Sequence, residues 1–491
     1  MRNTHRPLTT VALALSLFMA ALEVTVVSTA MPTVVGELGG IQSYAWVFTA
    51  YMLSSTITVP IYGKLADLYG RKPIILFGIG LFLAGSIASG LASTMGLLIA
   101  FRTLQGLGAG AIQPVALTII GDLYTMEERA RVQGAFSAVW GVAGLVGPVT
   151  GGLIVKYLSW HWIFFINVPV GMLTFALIVA FFHEQVQHKP QQLDYAGAAL
   201  LCAGVVALLF GVQGVGMNLW ALPAALVLLV AFVQVERRAP APVIPMTLFK
   251  HPAIAISSVA GALFSAAMFG ATTYVPLYVQ AVLGSSPTTA GGMITPMIVG
   301  WPLAAVFAGK LLLRTGFRPL IVGGLGLTVV GTVLMALLLK QDAPLFALQV
   351  SMALFGVGLG FASTALLIAV QTSVGWELRG VATASNMFFR TIGGVLGVGL
   401  MGGVMVSRLL EDPTIPVEAA NALLSPERSH AAIPEAMMKA LSGALTSGLT
   451  INFWLICLFA VGAFVAGLFF PRVQRNAGTP VAAEATAVVQ H

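Results

Sequence analysis

Of the 17 acidic residues in this 491-residue chain, Glu23 lies deep inside a long apolar run; the others fall at run ends, in loops or in the tail. An ionisable group buried in hydrocarbon is costly and is retained for a reason. Desolvation disfavours the charged form of a carboxylate, which brings proton binding and release within chemical reach. Glu23 therefore reads either as a protonation switch or as a structural carboxylate held permanently by Arg102. Arg102 and Arg390 are the two basic residues that also sit within apolar runs. A cation at such depth must face a wet cavity or find a partner. For Arg390 both readings stand, cavity lining or pairing with a carbonyl or water.

Other chemistry is poorly supported. His183-Glu184-Gln185-Val186-Gln187-His188 imitates a zinc-protease motif, but its histidines are five residues apart rather than four and do not share a helix face. The Gly-Lys pairs at 63–64 and 309–310 are each followed by Leu, so neither is a phosphate-binding loop. Cys202 and Cys457 lie in apolar runs and read as small buried hydrophobes. No metal site, cofactor or ATP-driven step is expected, and no nucleophile–base pair emerges for an enzyme.

The elements that carry these residues are membrane spans. Hydrophobic residues make up 58% of the chain and charged residues 8%, against about 25% charged in an ordinary soluble domain. The net charge of +7 is dispersed at run ends, without the basic stripe that nucleic-acid binding requires. Fourteen runs are long enough to cross a bilayer: 8–32, 44–66, 73–94, 97–122, 131–156, 162–183, 194–215, 219–236, 253–282, 287–312, 318–340, 344–371, 379–407 and 446–470. Arg2 and Arg6 ahead of the first run imitate a signal peptide, but the run is too long and is one of many. With the N-terminus inside, 17 of the 24 Lys and Arg residues fall on the inner side and five outside. The positive-inside rule then places both termini in the cytoplasm.

This orientation sets depths. Glu23 lies about 13 Å from the outer end of the first span and Arg102 about 9 Å below the outer surface, so the two can meet. Arg390 lies about 16 Å deep from the inner end of the thirteenth. The chain also repeats itself. GKLADLYGRKP (63–73) aligns with GKLLLRTGFRP (309–319) at an offset of 246. Gly106, Gly108, Gly110, Glu127, Arg129, Gly144 and Gly147 have identical residues 250 positions later. Two similar six-helix bundles follow, with the helices at 194–236 left over between them, and a substrate site is expected where the bundles meet.

The motifs carry a resemblance. GKLADLYGRK (63–72) resembles the signature loop between the second and third helices of the major facilitator superfamily, and RTLQGLGAGAIQP (102–114) its fourth-helix motif. GVAGLVGPVTGG (141–152) is similar to its antiporter motif. ALEVTVVSTAMP (21–32) and WHWIFFINVPVG (160–171) resemble motifs of its 14-helix drug:proton antiporter branch, which usually has Asp at the position of Glu23 and often Arg at that of His161. The resemblance implies proton coupling through Glu23 and Arg102. It also implies a cytoplasmic gate of Gly63, Asp67, Gly70, Arg71 and Lys72, in which Asp67 and Arg71 hold the bundles together when the protein faces outward. A solvated loop without a gating role is the plainer alternative. Gly144, Gly147, Pro148, Gly151 and Gly152, with Gly141, give the fifth span a nearly bare face, suited to close packing and, by resemblance, to sealing an exchanger.

The expected fold is all-α and integral to the membrane: 14 transmembrane helices as two pseudo-symmetric six-helix bundles plus two extra central helices. The expected units are residues 1–190, 191–250, 251–475 with an outer loop at 408–445, and a cytoplasmic tail at 476–491. Met437, Met438, Leu441 and Leu445 suit either a short amphipathic helix on the outer surface or a tether. Gln113, Trp140, Asn386 and Arg390 are expected to line a substrate cavity. The partners are then the lipid bilayer, a small lipophilic substrate and protons, with a monomeric, multi-pass protein in the cell (inner) membrane. The expected function is proton-for-drug exchange by alternating access. Export or flipping of an endogenous lipid or metabolite uses the same features.

Overall fold

The computed structural model describes residues 4–184, 194–213, 220–239, 242, 244–338, 344–375, 378–411 and 435–471. They form fourteen spanning helices: α1 (Arg6–Leu38), α2 (Tyr44–Tyr69), α3 (Arg71–Gly90), α4 (Met95–Leu123), α5 (Met126–Tyr157), α6 (a first turn, Trp162–Phe165, continued by Asn167–Phe181), α7 (Tyr195–Gln213), α8 (Ala221–Glu236), α9 (Pro252–Ala281), α10 (Pro287–Thr315), α11 (Phe317–Leu338), α12 (Leu345–Thr372), α13 (Arg379–Leu410) and α14 (Glu435–Leu468). Eleven are long and apolar enough by themselves to cross a membrane, and α5 and α8 contribute shorter apolar segments, Gly141–Tyr157 and Ala221–Glu236. Large apolar side chains such as Phe77, Leu173, Val227, Phe307 and Phe346 are exposed on the outside, as lipid rather than water demands.

Local chemistry sets the ends. The Thr94 hydroxyl accepts from the Leu97 amide at the start of α4. Thr125 and Glu128 form a capping box on α5. Pro252 and Pro287 open α9 and α10, where a missing N–H costs nothing. Gly70 and Gly316, 246 residues apart, turn α2 into α3 and α10 into α11 with φ of 97° and 82°, a backbone conformation that favours glycine.

Three boundaries differ from expectation. First, α1 passes through Pro32 to Leu38, because residues 25–35 are enclosed by neighbouring helices that offset the lost backbone bond. Second, α2 runs to Tyr69, so Gly63 is helical and Gly70 alone makes the turn. Third, the ends of the expected 408–445 loop are helical, for α14 begins at Glu435. Leu441 and Leu445 are fully buried in the core, so they belong to α14 and not to a separate surface helix. The side chains of Met437 and Met438, and the tail from 476, lie outside the described residues.

The repeat is visible as packing. In the first bundle α1 packs on α4, α5 and α6, α2 on α4, and α3 on α4 and α6. In the second, α9 packs on α12, α13 and α14, α10 on α12, and α11 on α12 and α14. Adding eight to each helix number converts one set into the other. The pair α7–α8 packs on itself and leans on α13 and α2, with the Trp46 and Phe210 rings 4.8 Å apart.

The bundles touch through α5 on α10, α2 on α13 and α1 on α9. Along these helices the close contacts run from the face opposite the N-terminus, here the far face, to about mid-depth. Tyr44 donates to the Thr273 carbonyl (2.8 Å) and Gln280 to the Thr29 carbonyl (2.9 Å). A Cβ on Gly152 would lie 2.7 Å from Thr288 Cα, and one on Gly291 would lie 2.5 Å from the Pro148 carbonyl oxygen. The deepest such approaches are Gly141 to Pro302 and Gly394 to Met52, each 3.3 Å.

A methyl group at Gly152 must push backbone apart, whereas one at Gly292 meets nothing within 4 Å. Overpacking costs about 1–3 kcal/mol. Gly152→Ala is therefore expected to open the far face by roughly ten- to a hundredfold in population, read as spin-label distances between the far ends of α5 and α10, while Gly292→Ala leaves them unchanged.

Candidate functional site

The expected meeting of Glu23 and Arg102 is realised, and the pair is fully buried inside the first bundle. Arg102 Nη1 donates to Glu23 Oε1 and to Gln105 Oε1 (2.7 Å), and Nε donates to the Val47 carbonyl (3.3 Å). Asn167 Nδ2 donates to Glu23 Oε2. Ser86 ties the set together: it accepts from Gln105 Nε2 (3.2 Å) and Asn167 Nδ2 (3.0 Å) and donates to the Phe164 carbonyl (2.9 Å). The guanidinium lies 4.1 Å from the centre of the Tyr51 ring, a favourable cation–π distance.

Five helices thus supply one polar knot: Glu23 from α1, Val47 and Tyr51 from α2, Ser86 from α3, Arg102 and Gln105 from α4, and Asn167 from the start of α6. Gln105 stands three residues after Arg102, on the same helix face. Asn167 heads the main part of α6, just past Ile166. A proton arriving at Glu23 would weaken its bond to Arg102 and free the guanidinium for other acceptors. Gln105 and Asn167 stand inside quoted motifs, and Gln105 was within reach through its spacing from Arg102. Ser86 carries no sequence signal of its own.

At the near face, Arg71 Nε lies 3.2 Å from Asp122 Oδ2 and Nη1 lies 3.4 Å from Glu184 Oε1. The Lys72 amide donates to Glu184 Oε2 (2.9 Å), and its ammonium donates to the Val179 (2.9 Å) and Phe182 carbonyls. All of these partners belong to the first bundle, so here Arg71 braces α3 to α4 and α6. Glu184 is part of the zinc-like decoy, which hid its pairing role; residues 185–188 of that motif lie outside the described residues, as do the side chains of Lys64 and Asp67. Gly63 meets nothing within 4 Å.

The fifth helix divides its glycines between two neighbours. A Cβ on Gly147 would strike Thr25 Oγ1, and one on Gly151 would lie 2.9 Å from the Val26 carbonyl, both on α1. Gly144, Gly152 and Pro148 face Ile298, Thr288 and Gly291 on α10 of the other bundle.

The four residues expected to line a cavity stand on α4, α5 and α13. Gln113 is half-buried on α4, and the Trp140 side chain lies outside the described residues. Asn386 and Arg390 are neighbours on α13, beside Gly261 of α9. Among the described residues no group of three or more His, Cys, Asp or Glu side chains is placed to hold a metal ion.

Two pseudo-symmetric six-helix bundles, the first closed around a buried ion pair, define a multi-pass membrane transport protein. The chain belongs to the Major Facilitator Superfamily, which it matches over residues 13–398. It is 38% identical over 426 residues to the multidrug transporter protein MdtP of Bacillus subtilis (strain 168), covering 84% of this chain and 79% of that protein. It is 34% identical to multidrug resistance protein 3 of the same organism, over 94% of both chains. Among solved structures, a bacterial homologue of the human lysosomal transporter Spinster, inward-facing and unoccupied, superposes with a TM-score of 0.66 at 16% identity, over 95% of this chain and 97% of that one.

Removing one member of a buried pair leaves a stranded charge, at a cost of about 3–5 kcal/mol. Arg102→Met is expected to lower the melting temperature of the purified protein markedly. The double variant Glu23→Gln with Arg102→Met is expected to recover much of the loss, because no unpaired charge remains. Equal melting temperatures for the single and double variants would show that the two side chains do not support one another.

Proposed function

We propose that this protein exports lipophilic, drug-like compounds across the cell membrane in exchange for protons, by alternating access. The observation that carries the reading is the fully buried pair of Glu23 and Arg102. A carboxylate that holds its only cation when charged, and releases it when protonated, converts proton binding into a change in helix packing. The likeness to two multidrug proteins supports a drug-like substrate.

The excess of Lys and Arg on the near face supports a cytoplasmic position for both termini. The far face is then external, and the close bundle contacts described in the far half, among them Gly152 on Thr288 and Gly291 on Pro148, support a cytoplasm-facing conformation. Proton entry at Glu23 and reclosure of the near face alternate with it. On reclosure Asp67 and Arg71 act as the latch, and Arg71 leaves Asp122 and Glu184 to do so. The protein works as a monomer.

In reconstituted vesicles, a pH gradient acidic on the external face is expected to drive substrate from the cytoplasmic face outward while protons move inward. Glu23→Gln should abolish both movements, and Glu23→Asp should retain part. Co-directional movement of substrate and protons would make the protein a symporter, and a requirement for ATP would overturn the exchange reading altogether.

Asp67→Asn is expected to slow transport several-fold while insertion and substrate affinity stay intact, because the latch stabilises a facing state without touching substrate. Unchanged transport together with unchanged cysteine accessibility at the near face would sink the latch.

A further inference from the structure

Glu23 is sealed inside the first bundle against Arg102, so it presents no charge to the space between the bundles. Arg390 differs. It is partly accessible, and among the described residues it has no carboxylate partner. Its stem crosses Gly261, whose added Cβ would lie 2.8 Å from Arg390 Cγ, and its guanidinium stands 4.9 Å from the centre of the Phe264 ring. Gly394, four residues on and on the same helix face, is where α13 touches Met52 of the other bundle. Arg390 therefore lies one turn to the near side of the Gly394–Met52 approach between α13 and α2.

Its surroundings are rich in hydrogen-bonding groups that lack partners. Asn386, one turn from Arg390, is buried, and its Nδ2 has no acceptor. That Nδ2 would stand 3.9 Å from a Cβ on Gly261. Ser257 and Ser258, one turn before Gly261 on the same side of α9, are buried with hydroxyls that have no partner among the described residues. Buried polar groups are normally satisfied, and a cation and an amide donor side by side call for an anionic acceptor.

We propose that Arg390 and Asn386, backed by Ser257 and Ser258, form an anion site that takes the carboxylate of a lipophilic substrate. Phe264, buried in the core beside the guanidinium, backs the same spot with an aromatic ring, so the charged anchor rests against apolar surroundings. The proposal rests on the export reading for its place in transport, and it names the substrate class as amphiphilic acids.

The test is binding to purified protein in neutral phosphatidylcholine nanodiscs, with pyrenebutyrate and its uncharged amide as matched fluorescent probes. Wild-type protein is expected to prefer the carboxylate. Arg390→Gln should weaken the carboxylate roughly ten- to a hundredfold, the worth of a hydrogen bond to a charged group, and leave the amide unchanged. Arg390→Lys should keep most of the preference, and Asn386→Ala should lose a few-fold for the acid alone. No preference in the wild type, absence of binding included, overturns the site. So does equal weakening of both probes by Arg390→Gln, which would mark a structural arginine, or no weakening at all, which would mark a cleft filled by water. Because the assay reads binding, selective acid binding without proton-driven export would overturn the export reading and leave the anion site standing.

Discussion

Hydrocarbon offers no partner to a charge, and a single charged side chain at the centre of a spanning helix costs about 2.5–3.5 kcal/mol even by lenient measures. That constraint orders the first bundle. Glu23 and Arg102 can be inside only because each neutralises the other, and their remaining hydrogen-bonding capacity must then be met from α2, α3, α4 and α6. The result fixes the depth of five helices relative to one another. Gln105, Asn167 and Ser86 are fully buried with the pair, so a shift of any one helix along its axis would strand a polar group. The knot is both the bundle's register and a store of ionisable chemistry enclosed within it.

The second bundle repeats the helices without repeating the chemistry. The positions 250 residues beyond Arg102 and Gln105 are Met352 and Phe355, both buried in apolar surroundings. Its charge stands elsewhere, at Arg390, in the slot that Trp140 holds in the first half. Halves with the same packing pattern therefore carry one closed ion pair and, among the described residues, one cation without a carboxylate partner. An internally paired charge suits a response to protons, and an unmatched one suits a response to something that brings the opposite charge.

Much of this was legible in the sequence. Run lengths gave the helices, the two offsets gave the repeat, and depth counting brought Glu23 and Arg102 together across 79 residues of chain. What escaped were partners with no periodic or compositional mark. Ser86 is one of many serines in apolar runs, and Glu184 looked like part of a metal motif. Helix ends escaped where lipid-phase rules differ from those in water. Pro32 looked like a stop but lies within α1, since neighbouring helices enclose the backbone it disturbs. Gly63 looked like part of a loop but lies within α2. The polar residues ahead of the last apolar run concealed a helix that starts at Glu435, because its buried face, Leu441 and Leu445, is sparse.

The glycines of α5 tie the two kinds of contact together. On one side Gly147 and Gly151 rest directly on Thr25 and Val26, the residues two and three beyond Glu23 on α1. On the other side Gly144 and Gly152 rest on Ile298 and Thr288 of α10, across the junction between bundles. Side chains long enough to hop between rotamers would absorb small displacements, but Gly151 on Val26 and Gly152 on Thr288 rest against backbone, which has nothing to compress. A movement of α1 that follows a change at Glu23 must displace α5, and α5 cannot move without disturbing its seat on α10. Packed interfaces of this kind switch between discrete arrangements rather than deforming smoothly. In the proposed exchange, the bare faces of α5 would make the ionic state of one buried carboxylate and the closure of the far face parts of a single mechanical problem, with no charged residue having to span the distance between them.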